Sequence, residues 1–571
     1  MSTPTAEQPK STSWWLLLVG TLLAFVPPIM LGWGFDDLGE QRLARLASWL
    51  YWWMALVCGF AVLCFGWRWT ARQTSFCDCL RLWWPGIALA IVATVVVFLA
   101  APPQMRVQFD ETSIVGVSQN MHQQRLAVMT TGAVPYRGEF VPQESMVDKR
   151  PTLFAFLVSI VHDVRGYRIE NAYLVNGLLL ALGLFVLFVG TRQRLGLLAG
   201  LTAPLLVLAV PLTCVVATSA GFELLATVLL LSATVAALGF VEKPSDARCA
   251  AFLGTAMLLA QSRYESIAAV ALLGALSVAC TFRRYRPSRW VWCTLALCPT
   301  LLTPLFFLLQ HAQAPNFTPE AGGQSLVSFA HLVSHIGPLI LGWFAISLDN
   351  PLPGLMALVA VAFWVVRLWR REASVVDLFM LVPLALTVVV LAWFYGDVRE
   401  VTALRLFLPL AWASVLPLLV VPIAAWRRSK RIAAALLVVS VALFAIRLPR
   451  VADGSVFPQL PTATLTAELD RLLKRLPGDP ATTLFVGVPA QHLIIKGYAA
   501  ISVATYQRMG QGIASLQRQG DVGRVYLLET ALDGDMEPVF GSPRELLRTV
   551  PSRVVERIGG VMPITVHELG R

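Results

Sequence analysis

Charge is scarce in this chain: Asp, Glu, Lys and Arg together make up 14% of its 571 residues, hydrophobic residues make up 57%, and the mean hydropathy is +0.67. Soluble domains carry about a quarter charged residues, so an ordinary soluble protein is excluded. Cysteine is absent after position 298, and the 9 cysteines present suggest no disulfide framework. Cys77-Asp78-Cys79 lacks the second pair that a zinc site needs, which leaves these as ordinary thiols. No internal repeat and no low-complexity tract is present. The interiors of the apolar runs are almost free of charge; Glu223 and Asp377, the nearest cases, lie close to run ends. Transporters usually hold ionisable groups near mid-membrane and have repeated halves, so these absences count against a transporter or flippase.

Long apolar runs fill the rest. Thirteen candidate spans of bilayer length fall near 14–32, 49–66, 85–102, 172–190, 196–214, 221–240, 248–262, 265–281, 290–310, 352–369, 375–394, 405–425 and 432–447. The expected fold class is therefore a polytopic α-helical membrane protein of about thirteen transmembrane helices. Met1 to Ser13 is polar and the first run has no small-residue cleavage site behind it, so it reads as a retained helix rather than a signal peptide.

The formal net charge of +11 does not point to nucleic acid, because the cations sit in short connections between apolar runs. One set of connections holds Lys10, Arg68, Arg72, Arg81, Arg192, Arg194, Lys243, Arg248, Arg283, Arg284, Arg286, Arg289, Arg367, Arg370, Arg371, Arg427, Arg428, Lys430 and Arg431. The opposite short connections hold only Arg42, Arg45, Arg263, Arg399 and Arg405. Positive charge stays inside, so the N-terminus is expected in the cytoplasm and the loop 103–171 outside, with the chain in the inner (plasma) membrane. Two apolar pieces, 152–163 and 325–348, break the parity. Both are expected to lie at the outer surface or to dip in and return, as walls of a site for a lipid-borne substrate.

After Arg450 the composition changes. Thr464 to Leu476 reads as an amphipathic helix, and Thr483 to Val488 and Gly523 to Leu528 as buried strands, in a small extracytoplasmic α/β domain. That domain carries no Gly-rich phosphate loop and no nucleophile elbow. The expected organisation is 1–84, a tail with two extra helices; 85–450, a transmembrane catalytic domain with the outer loop 103–171; and 451–571, the α/β domain.

The outer loop carries the chemistry. Val107-Gln108-Phe109-Asp110-Glu111-Thr112-Ser113 places two carboxylates where a membrane helix meets water, and Met146-Val147-Asp148-Lys149-Arg150-Pro151 adds a third with two cations. At the bilayer surface a carboxylate ionises cheaply and can act as general base on a membrane-bound substrate. Taken singly, each segment also fits a hydrated helix end or a solvated turn. Both adjoin apolar elements on one loop, which makes Asp110 and Glu111 the candidate catalytic residues.

These segments, with Arg192-Gln193-Arg194-Leu195-Gly196 ending a span, Ser262-Arg263-Tyr264-Glu265 between two short ones and Arg405-Leu406-Phe407-Leu408-Pro409 opening a late one, resemble the polyprenol-dependent GT-C glycosyltransferases. Within these the chain is most similar to the protein mannosyltransferase and lipid A aminoarabinose transferase group, over roughly residues 85–425. The resemblance implies that Asp110 is the catalytic aspartate, that Asp148 matches an acidic residue which in some members helps bind a divalent metal, and that Arg263 and Arg405 meet the lipid phosphate. Two departures stand out: Arg150 occupies the place of the motif's first proline, and two extra spans precede the family's first helix.

The chemistry is coherent on its own terms. Transfer from a polyprenyl phosphate expels a phosphate whose charge grows, so Arg263, Arg405, Lys149 and Arg150 are candidate phosphate contacts. Snorkelling toward headgroups is the structural alternative for Arg263 and Arg405, and Glu265 is placed to pair with Arg263. His331 and His335 share one helix face and, without an HExxH frame, suit packing or acceptor contact better than metal; Tyr264 joins them as an acceptor candidate. The expected activity is sugar transfer from a polyprenyl-phosphate donor to a lipid, glycan or protein acceptor on the outer face. A transporter or a non-catalytic envelope-assembly protein are the alternatives; a scaffold would tolerate loss of the loop carboxylates.

Overall fold

The computed structural model describes residues 40–71, 75–148, 150–296, 329–344, 351–372, 374–393, 405–413, 430–452, 461–476, 479–488, 490–530, 541–559 and 563–570. Among them four helices are long and apolar enough to cross a membrane: α1 (Glu40–Thr70), α2 (Phe76–Ala100), and two further helices, Glu170–Leu195 and Glu223–Glu242. Ser75 caps α2, its Oγ accepting the N–H of Asp78 at 3.1 Å. The expected span 14–32 lies outside the described residues, and those near 290–310 and 405–425 are described only in part.

The segment 103–171, expected as an outer loop, is itself folded. It forms α3 (Gln108–Gln124), a hairpin of β1 (Met129–Tyr136) and β2 (Glu139–Met146), and α4 (Leu153–Arg165). Arg137 and Gly138, at φ 53° and 75°, make the two-residue hairpin turn, a backbone that needs positive φ at both positions. Gly166, at φ 76°, ends α4 before α5 (Glu170–Leu195) begins. The buried face of α4, with Leu153, Phe154, Phe156 and Val158, packs in the main apolar core together with Ile114, Val115, Val117 and Met121 of α3.

One expected span is corrected. Residues 196–214 do not form a single rod but two helices, α6 (Leu197–Leu208) and α7 (Pro211–Ala217), bent by 75°. Pro211 has no N–H to continue the helix and opens a new one instead. Then follow α8 (Glu223–Glu242), the short pair α9 (Asp246–Ala260) and α10 (Ser266–Thr281), and α11 (Arg289–Ala296). Next come α12 (Phe329–Phe344), within the apolar piece 325–348, then α13 (Pro351–Trp369), α14 (Val375–Trp393) and α15 (Lys430–Ala452).

From Pro461 the chain forms a mixed sheet of five strands in the order β4-β3-β5-β7-β6: β3 (Thr483–Val486), β4 (Ala499–Ile501), β5 (Arg524–Thr530), β6 (Ser552–Ile558) and β7 (Ile564–Leu569). Strands β4, β3 and β5 are parallel to one another; β7 runs antiparallel to β5 and β6 to β7. Alternation along the strands feeds two cores. Phe485, Tyr526 and Leu528 face α16 (Pro461–Leu473), and Leu484, Val486, Val525 and Leu527 pack with α18 (Val503–Gln519); between β3 and β4 lies α17 (Ala490–Ile494).

The sheet is tied to the 103–171 segment. Val134 of β1 shares a core with Ile501 of β4, the Arg137 N–H donates to Asp521 at 2.9 Å, and Glu144 of β2 accepts from Thr505 at 3.0 Å and from Arg508. Tyr167 donates to the Ile495 carbonyl at 2.6 Å.

Candidate active site

The first turn of α3 sets the site. No side chain caps Val107, and Glu111 turns inward to do a cap's work: its carboxylate accepts the N–H of Arg106 at 3.1 Å, of Val107 at 3.2 Å and of Ala220 at 3.1 Å. Burial pushes the Glu111 carboxyl up to about 7 against the pull of those amides, and the charge of Glu223 adds to the rise. Grouped with Asp110 on sequence, Glu111 is thus committed to backbone amides.

A helix rotates about 100° per residue, so Asp110 faces elsewhere. One of its oxygens accepts from Arg150 and the other from Arg405, which lies 295 residues further on. Arg150 also donates to Asp148 at 2.8 Å, and Arg405 Nε lies 3.1 Å from Glu223 at the start of α8. Asp148, Arg150, Asp110, Arg405 and Glu223 therefore form one unbroken chain of alternating charge. Burial would raise the Asp110 carboxyl, but the charges of Arg150 and Arg405 and their hydrogen bonds outweigh it and hold it well below the usual carboxylate range.

Packing holds this arrangement in place. Trp412, on the helical turn after Arg405, donates to Thr213 of α7 at 3.2 Å, and a Cβ on Gly183 of α5 would come within 2.7 Å of its ring. Gly183 is what lets the Arg405 segment lie so close. Arg106 reaches back to the end of α7, donating to the Val215 carbonyl at 3.1 Å and to Thr218 at 2.9 Å, so the broken helix and the start of α3 are braced together.

Beside Arg405 lies a cavity of about 40 Å³. It is lined by the charged side chains of Glu223, Arg263, Glu265 and Arg405 and by the apolar ones of Ala226, Leu230, Ala269 and Leu406. Arg263 pairs with Glu265, and its guanidinium lies 5.4 Å from the centre of the Phe222 ring. Tyr264 stands within electrostatic reach of Asp148 and Arg150; burial first, then the Asp148 charge, raises its hydroxyl.

Sequence reasoning named Asp110, Asp148, Arg150, Arg263, Arg405 and Tyr264, and the structure brings them into one neighbourhood. Lys149 lies outside the described residues. His331 and His335 stack on each other on α12 with ring centres 5.6 Å apart. Two members were missed. Glu223 looked like a span-end charge and Arg106 was passed over, although an Arg four residues before Asp110 at the end of an apolar run was a readable signal.

The donor set does not suit a divalent metal. One oxygen of Asp148 accepts from both the backbone N–H and the guanidinium of Arg150, so a metal there would face a fixed cation. Among the described residues no three His, Cys, Asp or Glu side chains cluster as ligands.

No protein-family model matches the chain, and no curated protein sequence does. Solved structures do. The chain is similar to ArnT from Cupriavidus metallidurans in the apo state, with a TM-score of 0.55 at 14% identity over 84% of this chain and 97% of that one. It is similar as well to ArnT from Cupriavidus metallidurans bound to undecaprenyl phosphate, with a TM-score of 0.53 at 13% identity and the same shares covered. Identity this low speaks to the fold alone.

Proposed function

From the premise that the chain has the fold of the GT-C glycosyltransferases, we propose that it is an integral membrane glycosyltransferase that moves a sugar from a polyprenyl-phosphate donor to an acceptor, with Asp110 as general base. The observation that carries this reading is a half-buried carboxylate paired with two guanidiniums, one of which, Arg405, lines a cavity with both charged and apolar walls. Transfer from a polyprenyl phosphate needs that combination: cations for the phosphate, an apolar wall for the chain, and a base within reach of the acceptor's proton. Undecaprenyl phosphate, bound in one of the similar structures, is the chemistry to try first.

In this reading the phosphate sits between Arg405 and Arg150, with Arg263 at the cavity's edge. The isoprenoid runs along Ala226, Leu230 and Ala269. Asp110 takes the acceptor proton as the acceptor attacks the anomeric carbon from the face opposite the phosphate, and the arginines stabilise the charge that grows on the leaving group. Glu223 orients Arg405, and Asp148 orients Arg150. The five-stranded unit, tied to the same segment as Asp110, lies on the outer side and helps cover the site.

The test is transfer from a panel of polyprenyl-phosphate sugars by purified wild-type and Asp110→Asn protein. Asparagine keeps size and shape but takes no proton, so transfer should fall at least about a hundredfold in a variant that still elutes as monodisperse protein. Wild-type turnover by Asp110→Asn would remove the general base from the mechanism.

A further inference from the structure

Both oxygens of Asp110 are occupied by guanidiniums, and a carboxylate so held is a poor base. We infer that Arg150 and Arg405 are handed from Asp110 to the donor phosphate, so that the carboxylate becomes a base only when a phosphate is in place. This rests on the polyprenyl-phosphate reading and adds to it the control of the same site.

Charge arithmetic favours the exchange. Arg150 and Arg405 are each held from one further side, by Asp148 and Glu223, so they remain in place when Asp110 is released. A donor phosphodiester brings one negative charge into a site whose two arginines are already matched by three carboxylates. It enters only by taking contacts from one of them. Asp110 is the carboxylate shared by both arginines and is 23% exposed, against 6% for Asp148 and 4% for Glu223. It is therefore the one to give way.

The reaction then completes the handover with atoms and charges balanced. The acceptor O–H proton goes to Asp110, the acceptor oxygen bonds to the anomeric carbon, and the electron pair of the broken carbon–oxygen bond stays on the phosphate. Asp110 goes from one negative charge to none as the phosphate goes from one to two. The guanidiniums follow the charge, and without a phosphate they keep the base inactive.

The probe is the methyl ester of undecaprenyl phosphate, a single-charged phosphodiester with no proton to titrate near neutrality, and the measurement is calorimetry on the full chain in detergent. If Asp110 competes with phosphate for the two arginines, Asp110→Asn should bind the probe at least about tenfold more tightly than wild type. Equal or weaker binding by the variant would overturn the handover while leaving the donor reading intact.

Wild type alone supplies a second arm, should the variant not fold. Near pH 5, binding should take up a fraction of a proton as Asp110 leaves its arginines, read from paired buffers of different ionisation heat. Asp148, Glu223, Glu111, Glu265 and Arg263 face the same site, and proton uptake that persists in Asp110→Asn would assign it to them and overturn the proposal, as would none in wild type. No binding of the probe to any form would sink the polyprenyl-phosphate reading itself.

Discussion

Arg405, at the start of an apolar segment, bridges Asp110 and Glu223. An ammonium lacks the planar fork with which a guanidinium meets a carboxylate on one edge and a phosphate on another. Arg405→Ala should therefore weaken undecaprenyl phosphate binding by at least about tenfold, and Arg405→Lys should restore only part of that loss. Equal affinity in all three forms would reduce Arg405 to a tether between α3 and α8. Asp110, Arg150 and Arg405 were legible as candidates one at a time, each an ionised side chain at an apolar boundary. That they share one ion-pair chain was not legible, since sequence pattern reports which face a residue occupies and not its partner 295 positions away.

Among elements, α3 and α4 are locked by His162, buried between Ser118 of α3 and Asn171 of α5. The Asn171 amide nitrogen donates to the Gly166 carbonyl at 2.9 Å and to His162 Nδ1 at 2.8 Å, so Nδ1 accepts and Nε2 carries the proton. Nε2 then donates to Ser118 Oγ at 3.1 Å, whose own proton goes to the Val115 carbonyl at 2.7 Å. A Ser-His-Asn set is present, but the histidine gives its proton to the serine, which is the reverse of a nucleophile and its base. Burial, helped by the His122 charge, brings the His162 pKa down to about 4. Between about pH 6.5 and 4 the unfolded chain binds a proton that the fold refuses, so His162 should withdraw on the order of 3 kcal/mol of stability as pH falls through that window. Melting curves from pH 7 to 4.5 should therefore drop more steeply for wild type than for His162→Gln; parallel curves would mean that the histidine is protonated in place. Short length and cation parity set residues 152–163 apart from the spans, and a 13-residue helix, α4, forms there, whereas the bend at Pro211 and the hairpin 129–146 were missed. The first was hidden in an unbroken apolar run, and the second lies in a segment too polar to show a strand pattern.

For the molecule as a whole, the ties between sheet and loop turn two topological questions into one. The hairpin rests on β4 through Val134 and Ile501, Arg137 meets Asp521, and Glu144 meets Thr505 and Arg508, so residues 103–171 and the five-stranded unit occupy the same side of the membrane. A thirteen-span order with cations inside puts both outside. Four long apolar helices and one bent pair among the described residues fit that order without counting it out, because α9 and α10, at 15 and 16 residues, are shorter than the roughly 20 residues a perpendicular crossing needs. A reporter that is active only in the cytoplasm should therefore stay silent when fused after Arg571, and should be active when inserted in the connection of Arg283, Arg284 and Arg286. Strong activity after Arg571 would overturn the thirteen-span order. Because the sheet and the loop cannot be separated, it would also carry Asp110 to the cytoplasmic face, and donor and acceptor would then have to be sought among lipids of the inner leaflet.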